Sequence, residues 1–324
     1  MSVEPGEAEI RVAMVGAGAM AQQHARAFRD VPGVTLAGIH SRTRTRAEQL
    51  AARCGVKHVC DSVPELYEKT RAHLVVIAVS ELAASAVGCA CFEFPWTVLM
   101  EKPPGYDLSD AAAIREEARR QGSKVLVALN RSFYSSTRTA LDDLRQRPGP
   151  RHIHVLDQQD LGYAASFGHP PKVLENWHYG CCIHLVDYFR IFGRGRLASL
   201  ERVFPFDRKQ PRLAAAKLTF DSGDTGLYEA VWNAPGPWAV TVTTAQRRWE
   251  MRPLERLARQ DAGSRELVPV ETHAWDRDFK PGFRLQAEHV IAATLGRSSD
   301  SPTLDQALQT MRLIGAIYGD VENA

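Results

Sequence analysis

The sequence predicts an α/β fold in two domains: a doubly wound parallel sheet over residues 1–130, then a strand-and-helix domain over residues 131–324. Three observations carry this. Short apolar, β-branched runs alternate with helical stretches through the first 129 residues, the pattern of parallel strands joined by crossover helices. The first run leads into Gly16-Ala17-Gly18-Ala19-Met20-Ala21, a G-x-G-x-x-A turn between a strand and a helix. Past Pro148-Gly149-Pro150 the strands come in neighbouring pairs, and two amphipathic helices finish the chain.

Each element has its reason. Residues 12–16 are a buried strand and 19–28 an Ala- and Gln-rich helix. A second strand, 34–39, precedes a helix over 46–54, and 56–59 is a short strand. Ser62-Val63-Pro64-Glu65 has the form of a capping box. Residues 73–79, HLVVIAV, are continuously apolar, as in the middle of a sheet covered on both faces. A helix over 82–91 leads to the strand 97–100. Ser109 is expected to cap a helix over 110–121, and the strand 124–129 closes the series.

In the second half, 136–145 reads as a helix, 152–158 as an alternating strand and 161–171 as a loop. Strands 213–220 and 226–232 flank the turn Asp221-Ser222-Gly223-Asp224, followed by strands 238–244 and 247–252. The closing helices cover 285–295 and 304–318.

Composition narrows the function. Hydrophobic content of 44% and charged content of 24% are those of a globular protein, and the net charge of +2 comes without a dense basic run. No nucleic-acid partner is suggested. No apolar run reaches the roughly 18 residues of a membrane span, and the acidic, polar first ten residues do not read as a secretory signal. A cytoplasmic chain with no membrane partner is the expectation. The six cysteines lack zinc-like spacing, so no metal site is expected and the thiols read as reduced and buried.

The glycine turn reads as a dinucleotide site. Gly16 turns the chain out of the strand, Gly18 admits a pyrophosphate to the backbone, and Ala21 permits close helix packing. Ala19 and Met20 open a helix whose unpaired N–H groups favour phosphate. At the end of the second strand an NAD site usually carries an acid. Here His40-Ser41-Arg42-Thr43-Arg44 offers a hydroxyl and two guanidiniums, which favours NADP over NAD. The alternative is that the arginines solvate the following helix. Glu101-Lys102-Pro103-Pro104 follows the fifth strand, where ligands of such sheets collect.

With these residues in view, the chain resembles the glucose–fructose oxidoreductase / inositol dehydrogenase / rhizopine-catabolism (Gfo/Idh/MocA) oxidoreductases. The likeness rests on the glycine turn with His24, on Glu101-Lys102-Pro103, and on Asn130-Arg131-Ser132-Phe133. It extends through Gly180-Cys181-Cys182-Ile183-His184-Leu185-Val186-Asp187 and Phe279-Lys280-Pro281-Gly282-Phe283. The resemblance implies a lysine, Lys102, that touches cofactor and substrate, often before a cis proline. It also implies a second domain built on a largely antiparallel open sheet with helices on one face. The other face would join a homodimer or homotetramer.

The family pattern D-x-G-x-H-x-x-D places an acid–base histidine at His184, with Asp187 three residues on. Gly180 stands where the first Asp should be, so Tyr179 and His178 are possible substitutes. Arg131, His178 and Asp187 are expected to touch substrate. Ser80 and Glu81 replace the family's T-P-N beside the nicotinamide ribose, and Glu81 either bonds the ribose or caps the next helix.

The resemblance implies an NAD(P)-dependent oxidoreductase acting on a hydroxyl or keto carbon of a sugar, polyol or nucleotide-sugar. The stretch from Trp249 to Glu255 and the tail are similar to members linked to surface-polysaccharide or nucleotide-sugar pathways. Two alternatives stand beside it: a non-catalytic sugar- or dinucleotide-binding regulator, and a redox-assisted lyase or glycosidase.

Overall fold

The computed structural model describes residues 9–322. The first strands and helices alternate as β1 (Ile10–Val15), α1 (Ala19–Arg29), β2 (Val34–His40), α2 (Arg44–Cys54), β3 (His58–Cys60), α3 (Val63–Thr70) and β4 (Leu74–Ile77). They continue as α4 (Ala84–Phe92), β5 (Thr97–Met100), α5 (Leu108–Arg120) and β6 (Val125–Val127). The middle of the chain holds α6 (Ser135–Arg145), β7 (His152–Gln159), α7 (Leu161–Ser166), α8 (Pro171–Glu175), α9 (Trp177–Cys181) and α10 (Ile183–Phe192). A run of strands follows: β8 (Leu197–Phe204), β9 (Leu213–Phe220), β10 (Thr225–Trp232), β11 (Ala239–Thr243), β12 (Arg247–Met251), β13 (Leu257–Asp261) and β14 (Val268–Val270). Helices α11 (Trp275–Asp278), α12 (Phe283–Thr294) and α13 (Leu304–Tyr318) end the order.

The chain forms two compact units. The first takes the residues up to Asn130 together with Trp275–Leu308, and the second takes Arg131–Ala274 with the residues from Gln309 onward. The division is therefore not the contiguous one expected from sequence. Its cause is α12, whose Phe283, Ala287, Val290 and Ile291 share a core with Val12, Met14, Ala21 and Phe28. The buried Arg284 guanidinium adds an ion pair with Asp30 at 2.5 Å.

In the first unit six parallel strands take the order β3-β2-β1-β4-β5-β6. Strands β4 and β5 are buried at every residue, as continuous apolar runs in a doubly covered sheet must be. Ser62 caps α3 as expected, its Oγ accepting from Glu65 N at 3.2 Å. The cap of α5 is Asp107 and not Ser109. Its carboxylate accepts from Asp110 N at 2.8 Å, and a carboxylate at a helix start also suits the dipole.

The second unit holds an eight-stranded sheet in the order β14-β13-β12-β11-β7-β10-β9-β8. All its pairs are antiparallel except β7 with β10. Alternation sets its faces. Ile153, Val155, Tyr228, Ala230, Val240 and Val242 are buried, with α10 laid against β7 and β11. His154, Leu156, Leu227, Glu229 and Val231 on the other face are half-buried. The expected loop over 161–171 contains α7, capped by Asp160, and the start of α8. Strands β8, β13 and β14 were not foreseen: the residues of β8 are half-buried or exposed on both faces, so no period marks it.

Candidate active site

The carboxyl ends of β1, β2, β4 and β5 share one edge of the parallel sheet, and β1 and β4 are the strands at which its order reverses. That crevice is where such sheets bind ligands. Gly16 has φ 111°, and a Cβ there would collide with the Ala78 carbonyl, so glycine is required at this turn. Gly18 is the residue before α1; a Cβ on it would meet nothing, so its backbone lies open to approach. No side chain caps α1. Ala19 and Met20 thus begin a helix whose first N–H groups suit a pyrophosphate, and the turn fits a dinucleotide.

At the end of β2, Ser41 Oγ accepts from Thr43 N at 3.4 Å. The two arginines part company here. Arg44 is paired with Glu48 and Asp61, while Arg42 is exposed and carries no hydrogen bond or ion pair among the described residues. At the end of β4, Ser80 is exposed and Glu81 begins a short 3₁₀ turn, with Ala83 N donating to Ser80 O at 2.9 Å.

At the end of β5 a pair of the buried His24 and the partly buried Glu101 precedes the lysine. His24 Nε2–H donates to Glu101 Oε1 at 2.7 Å, and Glu101 Oε2 accepts the backbone N–H of Lys102 at 3.1 Å. Burial alone would raise the Glu101 carboxyl. The His24 bond and the charges of His24 and Lys102 outweigh it and hold the group below the ordinary glutamate range. The Lys102–Pro103 peptide is cis.

In the second unit α9 and α10 meet at Cys182. His184 is buried, 8% exposed, with its ring centroid 6.3 Å from that of Trp238. The Arg131 guanidinium lies 4.9 Å from the same indole centroid, a cation–π contact. Trp238 Nε1 donates to Gln158 O at 2.8 Å, which fixes the ring these two residues share. A Cβ at Gly180 would meet nothing within 4 Å, so room stands open one turn before His184.

Three of the expected residues are turned inward. Asp187, 2% exposed, accepts from Arg190 Nε and Nη2 at 2.7 Å each, from Thr310 Oγ1 at 2.8 Å and from Ser132 Oγ at 3.4 Å. Its oxygens are filled by the protein, where the sequence had placed it against substrate. Tyr179 OH and His178 Nε2–H both donate to Asp320 Oδ2 at 2.8 Å, and Arg208 pairs with the other oxygen. Burial pushes His178 toward the neutral imidazole. Burial opposes ionisation of Asp320, yet the His178 and Tyr179 bonds and the Arg208 charge hold it well below the usual carboxylate range. Tyr179 and His178, expected in acid–base and substrate parts, thus both bond Asp320. Trp238 and Asp320 went unnoticed in the sequence, where neither lies in a motif.

Among the described residues no cluster of His, Cys, Asp or Glu could hold a metal ion, and no helix is long and apolar enough to cross a membrane.

The strand-end turn and its sheet make a dinucleotide-binding fold. Residues 10–129 match the family model GFO_IDH_MocA, described as "Oxidoreductase family, NAD-binding Rossmann fold". Over these residues the chain is similar to the Gfo/Idh/MocA oxidoreductases. It is 26% identical over 186 residues to 4-carboxy-2-hydroxymuconate-6-semialdehyde dehydrogenase of Sphingobium sp. strain NBRC 103272 / SYK-6. That match covers 56% of this chain and 58% of the relative. In fold it is similar to a dehydrogenase from Chromobacterium violaceum, at TM-score 0.83 and 18% identity over 98% of this chain and 96% of that one. It is also similar in fold to UDP-N-acetylglucosamine 3-dehydrogenase from Acidithiobacillus ferrooxidans, at TM-score 0.75 and 17% identity over 97% and 98%.

Proposed function

We propose that the protein is a cytoplasmic, NADP-preferring dehydrogenase or reductase acting on a hydroxyl or keto carbon of a sugar, polyol or nucleotide-sugar. The observation that carries the reading is Lys102 at the carboxyl end of β5, directly after the His24–Glu101 pair, on the sheet edge that holds the glycine turn. Gly16, Gly18, Ala19 and Met20 would hold the pyrophosphate. Ser41 and the uncommitted Arg42 would meet a 2′-phosphate, and Ser80 and Glu81 the nicotinamide ribose. Bound there, the nicotinamide supplies a hydride acceptor or donor.

The chain's own residues do the rest. Lys102 donates a hydrogen bond to the reacting oxygen and stabilises its developing negative charge. His184 takes the hydroxyl proton in oxidation and returns it in reduction. Arg131, held over Trp238, anchors a polar group of the substrate. A sugar class is supported by the likeness to this family and by the nucleotide-sugar dehydrogenase among the chain's structural neighbours. The half-buried face of the second sheet, with Leu156, Leu227 and Val231, suits a homodimer or homotetramer contact.

Mass spectrometry of the purified protein for retained cofactor, followed by a nicotinamide-absorbance assay over sugars, polyols and nucleotide-sugars, tests the reading. Turnover of one class with NADP is the expected result. Dinucleotide binding without turnover of any would favour a regulator. Product formed with no net change of cofactor would favour a lyase or glycosidase.

A further inference from the structure

The second unit contains a cavity of about 540 Å³ in the size range of small-molecule sites. It opens where β10 ends at Trp232 and is walled by Leu174, Trp177, Phe206 and Trp232, with His178 and Arg208 at its polar end. Lys102, His184, Arg131 and Trp238 do not line it.

The polar chemistry of the walls is already directed elsewhere except at Arg208 and at the exposed Glu175. Trp177 Nε1 donates to Gln159 Oε1 at 3.0 Å, and Trp232 Nε1 to the Tyr318 hydroxyl at 3.3 Å. Both indole N–H groups thus bond into the protein, and what remains of each ring for a ligand is apolar. His178 Nε2–H is held by Asp320. Arg208 donates only from Nη2, to Asp320. Its Nε and Nη1 bond nothing among the described residues, and the side chain is 45% exposed.

A polyhydroxylated ligand would bury several hydroxyls here without partners, at a cost for each. A flat apolar ring with one anionic group meets aromatic and aliphatic walls along its length and a charged guanidinium N–H donor of Arg208 at its end. We propose that this cavity is a binding site for a small aromatic carboxylate, separate from the residues assigned to hydride transfer. The proposal does not rest on the sugar reading. The exposed carboxylate of Glu175 stands in the same lining and would meet an ammonium group, if the ligand is an aromatic amino acid.

Isothermal titration with 3-phenylpropionate, L-phenylalanine and glucuronate, each up to about 10 mM, tests it on the full chain. Saturable binding of 3-phenylpropionate is expected, with glucuronate at least about tenfold weaker. Tighter binding of L-phenylalanine would identify the amino acid as the source of the ring. Arg208→Gln should weaken 3-phenylpropionate by about tenfold. Leu174→Trp, which fills the cavity and leaves the Asp320 bonds intact, should abolish binding, so the test does not depend on Arg208→Gln folding. Three results overturn the proposal: no binding of either aromatic acid, equal binding of glucuronate, or binding untouched by Leu174→Trp. A failure of sugar turnover alone would leave it standing.

Discussion

Glu101 in the first unit and Asp187 in the second are both carboxylates withdrawn from water beside a basic partner. Glu101 takes one hydrogen bond from His24 and gives its other oxygen to the backbone of Lys102. It shapes the residue that follows it at a strand end. Asp187 takes two bonds from Arg190 and further bonds from Thr310 and Ser132, so it joins α10 to segments far from it in sequence. One acid presents a neighbour, and the other closes on itself. A buried acid in a motif is therefore no guide to its role until its oxygens are accounted for.

The sharpest way to break this comparison is Asp187→Ala. Removing one partner of a buried pair strands the other, so unfolding free energy should fall by about 3 kcal/mol, read by chemical denaturation. A variant of unchanged stability with a raised KM would return Asp187 to the substrate.

Next come Lys102→Ala and His184→Ala, each expected to cut turnover by about a hundredfold or more, with the folded state retained. If both act on one proton, the double variant should resemble the worse single one. Near-parent turnover of His184→Ala would remove it from the chemistry.

A smaller effect is expected at the end of β2. The parent should bind NADP more tightly than NAD, and Ser41→Asp should reverse the order by about tenfold, because a carboxylate repels the 2′-phosphate. Fluorescence titration of both cofactors decides it, and equal affinities in the parent would sink the claim.

The smallest effect is on acid stability. Glu101 has its folded value lowered, so its contribution is fully present above about pH 4 and is lost as pH falls through the lowered value. Glu101→Gln should flatten the acid limb of a stability–pH curve relative to the parent.

How far the sequence can be read differs between these regions for a physical reason. The glycine turn, the apolar strands and the strand-end lysine are local, and each is specified by residues within a few positions of one another. The parallel sheet was legible for that reason. Asp320 lies 142 positions from His178 and 141 from Tyr179, and no periodicity can announce such a partner. Strand β8 has no alternation because neither of its faces is buried. The apolar face of α12 was visible as a pattern, but a pattern does not name the surface it covers. That is why the residues from Trp275 to Leu308 were expected with the second unit, whereas they pack in the first.

The return of α12 to the first unit has a consequence for how the protein is made. Val12, Met14 and Phe28 belong to the earliest part of the chain, and Phe283, Val290 and Ile291, which complete their core, come late. The ribosome must add the whole stretch Arg131–Ala274 in between, which takes on the order of ten seconds. During that interval the nascent dinucleotide-binding half carries a bare apolar patch. Chaperone capture of stalled chains should therefore be strongest for lengths beyond Asn130 and fall once Thr294 has left the exit tunnel.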